Sequence, residues 1–151
     1  MNVIIRTIPH AEQPYNTLGE YFLEEPDLTV GRKERTLHIQ VSEMGSWRME
    51  MLVAIHELTE TLLMIADGIP LGESNKFDEE FEAAREAAEA KQASTFSFRG
   101  ASYPIEYEPG DALGCPYGEH HTYATAVERL VAARLGVPWR AYEERSLEVC
   151  A

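Results

Sequence analysis

The run Thr36-Leu37-His38-Ile39-Gln40-Val41-Ser42-Glu43-Met44-Gly45-Ser46-Trp47-Arg48-Met49-Glu50-Met51-Leu52-Val53-Ala54-Ile55-His56-Glu57-Leu58-Thr59-Glu60 holds two periodicities in succession. Its first part alternates: Leu37, Ile39 and Val41 share one face, while His38, Gln40 and Ser42 share the other. That is the pattern of a half-buried strand over residues 36–44. Gly45 ends it, and Ser46 is placed to cap a helix. Residues 47–67 then predict one helix, closed by Gly68 and Pro70. Met51, Leu52, Val53, Ile55, Leu58 and Leu62 spread apolar groups around nearly its whole circumference, which marks a buried helix. A histidine and two glutamates inside such a helix need a physical reason.

His56 and Glu60 stand four residues apart, a rotation of about 400°, so their side chains leave one face a single turn apart. An imidazole and a carboxylate so placed can reach one cation. Glu57 is offset by about 100°, which suits it to take a proton from water beside the cation, the general-base role of such a glutamate in zinc hydrolases. The motif is short and recurs by chance, often as solvated charge. Its apolar flanks argue otherwise, because burying these groups without a partner costs several kcal/mol, and a cation offsets that cost.

A zinc site needs a third protein ligand. A second helix, expected over residues 119–135 and ended by Gly136, opens with Glu119, His120 and His121. Helical steps from His121 reach Ala124, Thr125 and Glu128; steps from His120 reach Tyr123, Ala124 and Val127, which resembles a core stripe. His121 is the favoured ligand and His120 the alternate. Glu128 could orient His121 as an outer carboxylate, with an ion pair to Arg129 or Arg134 as the plainer alternative. His56, Glu60 and His121 make a two-histidine, one-carboxylate set for one Zn2+ per chain, leaving a fourth position open. Tyr117 and Tyr123 lie near these ligands in sequence.

The strand followed by a His-Glu helix resembles the zincin-like metallopeptidase arrangement, in an HExxE variant: Glu60 stands where that family has its second histidine. The resemblance spans roughly a third of the chain and implies a peptidase whose ligand order differs from the family's. The combination Trp47-Arg48-x-Glu50-x-Leu52-Val53-x-Ile55-His56-Glu57-x-x-Glu60 with Pro116-Tyr117 and His121-x-Tyr123-Ala124-Thr125-x-Val127-Glu128-Arg129 also resembles uncharacterised proteins encoded by bacteriophages and prophages. That likeness spans most of the chain and implies no activity.

Outside these segments, residues 3–8 predict a strand ended by Pro9, residues 20–23 a short strand, and residues 24–35 a loop or hairpin. Residues 68–75 are expected as loop, and residues 76–92 as an acidic helix with the stripe Phe77, Phe81 and Ala84. Residues 93–118 are expected to be irregular, with a short strand at 96–98 or 103–107, and residues 139–149 form a last helix. Strands first and helices later predict an α+β fold: a small N-terminal sheet packed on the buried HExxE helix and further C-terminal helices, in one domain over residues 1–151.

The net charge of -13 argues against a nucleic-acid partner. No apolar run approaches the ~20 residues of a membrane span, and the N-terminus does not read as a signal peptide. A cytoplasmic protein is expected, in the host cytoplasm if phage-encoded. Cys115 and Cys150 are expected as free thiols, Trp47 and Trp139 as packing residues, and His10 and His38 as surface residues. Three functions fit. The first is a zinc-dependent hydrolase with Glu57 as base, acting on a peptide or small molecule. The second is a Mg-dependent nucleotide pyrophosphohydrolase, since Glu57 and Glu60 with Asp78 and Glu82 resemble the carboxylates of an all-helical class of such enzymes. The third is a non-catalytic, metal-stapled protein that binds a host factor.

Overall fold

A computed structural model describes residues 1–31 and 33–151; Arg32, within the loop expected over residues 24–35, lies outside the described residues. The chain is α+β, with three short 3-10 turns besides five strands and four helices among the described residues. It divides into two compact units, Met1–Thr61 with Ala124–Ala151, and Leu62–Tyr123.

The first unit carries a three-stranded sheet. β1 (Asn2–Ile8), β2 (Gly19–Glu24) and β3 (Thr36–Ser42) lie in the order β1-β3-β2. β1 runs parallel to β3, pairing Ile5 with Ile39, and β2 runs antiparallel, pairing Tyr21 with Ile39. The central strand follows the expected alternation over residues 37–41, but Ser42, expected on the polar face, is completely buried. Leu37, Ile39 and Val41 are completely buried, each removal from water stabilising by about 1.5–3 kcal/mol. His38 is half-buried: it stacks on Phe22 with ring centroids 4.4 Å apart and its Nε2 lies 3.0 Å from Glu24. His10 is also half-buried, its Nδ1 2.9 Å from Ser42 Oγ. Both histidines expected at the surface are therefore tied to the sheet.

Helix α1 (Trp47–Ala66) follows the sheet as expected, with Leu52, Val53 and Ala54 buried, but it is not buried all round: Met51, Ile55 and Leu58 are half-buried and Leu62 is exposed. The Glu50 carboxylate turns back to accept from the Met44 N–H at 3.0 Å, fixing the entry into the helix. Trp47 corrects its expectation: it is 59% exposed, with the Arg48 guanidinium 5.0 Å from its ring centre. The same unit holds most of α3 (Gly118–Leu135) and all of α4 (Trp139–Val149). Arg145 of α4 donates to the Met44 carbonyl at 2.9 Å.

The second unit is built on an aromatic cluster. Helix α2 (Leu71–Glu89) begins five residues before the expected start, so residues 71–75 are helix rather than loop. Pro70 precedes the first turn, and the Ser74 hydroxyl bonds back to the Leu71 carbonyl at 2.8 Å, which lets a poor helix former sit inside it. Phe77 and Phe81 pack against Phe96, Phe98, Tyr103 and Ala112. Both segments offered as single-strand alternatives contribute to a hairpin, β4 (Thr95–Phe98) with β5 (Ala101–Pro104). Its two-residue turn has Arg99 at φ 46° and Gly100 at φ 85°, the left-handed pair that matches strand twist. Arg99 is held there by Glu80 at 2.7 Å and by the faces of Phe77 and Phe98. No helix among the described residues is long and apolar enough to cross a membrane.

Candidate metal centre

In the first unit, α1 presents His56 and Glu60 on one face, with His56 Nε2 3.5 Å from Glu60 Oε2. The opposite ring nitrogen, Nδ1, lies 3.1 Å from Glu128 Oε2 on α3. The second oxygen of Glu128 accepts from the Tyr142 hydroxyl on α4 at 2.5 Å. Glu60, Glu128 and Tyr142 are all buried. Glu128 thus faces His56 and Tyr142, and the Arg129 guanidinium lies over the Trp139 ring. Sequence did carry one signal for Glu128. It sits between Ala124 and Ala132 at four-residue steps, and all three positions are buried.

Opposing forces act on the His56 imidazole. Burial favours its neutral form, but hydrogen bonds to Glu128 and Glu60, with the nearby charges of Glu57 and Glu60, outweigh that and push its pKa up to about 11. Around His56 the protein therefore stabilises positive charge, which a proton or a metal cation supplies.

Glu57 is half-buried and lies against Gly19 at the start of β2. A Cβ at position 19 would fall 2.3 Å from Glu57 Oε1 and 2.5 Å from its Cγ. Gly19 is absent from the positive-φ glycines, so space for this carboxylate, not backbone freedom, calls for glycine there. Nothing in the spacing of the sequence pointed to that residue.

The second unit holds His121 on the first turns of α3, buried, with Nε2 3.4 Å from the Glu108 carboxylate. The ring lies over Gly110, where a Cβ would fall 2.3 Å from its Cγ. Glu108, Asp111 and His121 each offer a ligand atom within 4.8 Å of the others. His120 is engaged elsewhere, its Nε2 2.8 Å from Asp67. Tyr117 is buried and donates to Asp78 at 2.6 Å, while Tyr123 is exposed. Glu82 is ion-paired with Arg85, and burial holds its carboxyl above the ordinary range. Cys115 and Cys150 are thiols and not joined in a disulfide.

Compared with family models, curated proteins and solved structures, the chain matches none.

Proposed function

We propose that the chain is a divalent-metal-dependent hydrolase, in which His56, Glu60 and His121 take one cation, zinc by preference, and Glu57 serves as general base. The observation that carries this is the setting of His56. Its Nδ1 faces Glu128, and its Nε2 faces Glu60 on the same helical face. A metal-ligating histidine characteristically gives its other nitrogen to a carboxylate, which fixes the tautomer and the ring plane. The mixed nitrogen and oxygen donors suit zinc better than magnesium. Bound there, the cation would polarise a carbonyl oxygen. Glu57 is separate from these ligands, held in the space left by Gly19, and takes the proton of the attacking water.

A zincin-like arrangement with Glu60 in place of the second histidine, a peptide or small-molecule substrate, a bacteriophage or prophage origin and a cytoplasmic location belong to the same proposal. The pyrophosphohydrolase alternative rests on a likeness to an all-helical class, whereas the described residues hold two sheets. A non-catalytic, metal-stapled protein that binds a host protein is the competing reading, and Glu57 separates the two. Elemental analysis of purified protein should give one zinc per chain, lost in His56→Ala and reduced in His121→Ala. Glu57→Gln should keep the zinc and lose hydrolysis of a quenched-fluorescent peptide mixture. Protein that carries no tight divalent metal, with a stability that chelation leaves unchanged, would sink the proposal. Metal bound with no hydrolysis in the wild type would favour the non-catalytic reading.

A further inference from the structure

We infer that Tyr142 is a positioning residue for the ligand nitrogen of His56, acting through Glu128. The inference rests on the metal site proposed above and adds to it a residue from the last helix. Three helices of one unit supply the chain of contacts: the Tyr142 hydroxyl of α4 donates to one oxygen of Glu128 on α3, and the other oxygen faces His56 Nδ1 on α1.

Each oxygen of Glu128 has its own partner, and the carboxylate is buried. A buried carboxylate held at one oxygen only can pivot about its own axis. Held at both, it presents a fixed acceptor, and the imidazole must meet that acceptor with its Nδ1–H. The ring plane is then set and Nε2, turned toward Glu60, is the nitrogen that exchanges its proton for a cation. Tyr142 is itself fastened. The Ser146 hydroxyl donates to its carbonyl at 2.9 Å, Arg145 ties the next turn to Met44, and the Trp139 ring packs edge-on at 5.2 Å. The hydroxyl is thus delivered to Glu128 by a helix anchored on both sides of it. Filling core volume alone would require only the ring; the buried hydroxyl aimed at Glu128 goes beyond that requirement.

The test separates positioning from packing. Zinc affinity, by competition with a chromophoric chelator, and the thermal midpoint of the metal-free protein are measured for wild type, Tyr142→Phe, Glu128→Gln and Ile39→Val. The last variant thins the core at the completely buried centre of β3, outside the three helices that carry the relay. Tyr142→Phe should weaken zinc about tenfold and Glu128→Gln about 10–100-fold, while Ile39→Val lowers the midpoint and leaves the affinity unchanged. In the metal-free protein, long-range nitrogen–proton spectra should show the His56 Nδ1 proton in the wild type and its faster exchange in Tyr142→Phe. Wild-type affinity in Tyr142→Phe, or an affinity loss that Ile39→Val matches at equal midpoint, overturns the inference alone. A wild-type protein that takes up no zinc overturns the metal site and the inference together.

Discussion

His56 in the first unit and His121 in the second are supported in opposite ways. His56 has a carboxylate at each ring nitrogen, Glu128 at Nδ1 and Glu60 at Nε2, and His121 has Glu108 at Nε2. The Glu128 side chain facing His56 is 7% exposed and is itself gripped by Tyr142; the Glu108 side chain facing His121 is 68% exposed and belongs to a loop. Buried ionic contacts are costly to break, because removing one partner strands the other in low dielectric, whereas an exposed pair contributes little. The difference teaches that the His56 half is prearranged by a buried carboxylate, while the carboxylate facing His121 stands in solvent and the ring itself lies in the gap at Gly110.

The contrast breaks first at Glu128. Glu128→Ala leaves His56 and the Tyr142 hydroxyl without this partner inside the first unit, and should destabilise the metal-free protein by about 3–5 kcal/mol. Denaturant titration measures it. A loss below about 1 kcal/mol would mean that the two halves are held alike.

The two glycines sharpen the comparison. In Gly19→Ala the atoms that must yield are the flexible end of Glu57. Stability and zinc content should change little, while hydrolysis falls about 100-fold, as for a reacting group displaced by about 1 Å. In Gly110→Ala the atoms that must yield are a buried ring. Overpacking should cost about 1–3 kcal/mol and weaken zinc, with any effect on hydrolysis following the loss of metal. Equal outcomes in the two variants would remove the distinction between a base that moves freely and a ligand that does not.

The same contrast marks what the sequence made legible. Leu37, Ile39 and Val41, and the apolar girth of α1, showed in periodicity because each is a local pattern repeated over one element. The pairing of His56 with Glu60 was legible for the same reason: one helical turn joins them. The pairing of His56 with Glu128 spans 72 positions, and that with Tyr142 runs through a third helix; no local period encodes either. Gly19 and Gly110 were hidden because each is needed for the volume of a distant side chain, and a sequence shows a glycine but not what fills its space. The early start of α2 was missed because Gly72, Ser74 and Asn75 weigh against helix locally, while the burial of Ser74 in the first turns is a tertiary feature that no local propensity shows.

Acidity should act on the two states of the protein in opposite directions. The His56 pKa is raised to about 11 from an ordinary value of 6.5. The stabilisation from its protonated form is therefore complete below about pH 6.5 and is lost as the pH climbs toward 11. Metal-free protein should lose stability across that window through this group. Zinc displaces the same proton, so its affinity should rise with pH, by up to about tenfold per unit. Denaturation of the metal-free protein at pH 6, 8 and 10, beside chelator competition between pH 6 and 8, reads both slopes. Slopes of the same sign would show that His56 does not exchange a proton for the cation.

The smallest effect is expected at Glu108, and its smallness is informative. Its carboxylate lies 3.4 Å from His121 Nε2, yet the side chain is mostly in solvent. An exposed pair of this kind contributes about 0–1 kcal/mol, and salt screens it. Glu108→Ala should therefore shift the stability of the metal-free protein by less than about 1 kcal/mol, and by less still in 0.5 M salt. The His121 ring should keep its place, because Gly110 beneath it is unchanged. Were Glu108→Ala to cost as much as Glu128→Ala, the loop carboxylate would be a structural partner of His121. The His121 half would then be as firmly prearranged as the half around His56.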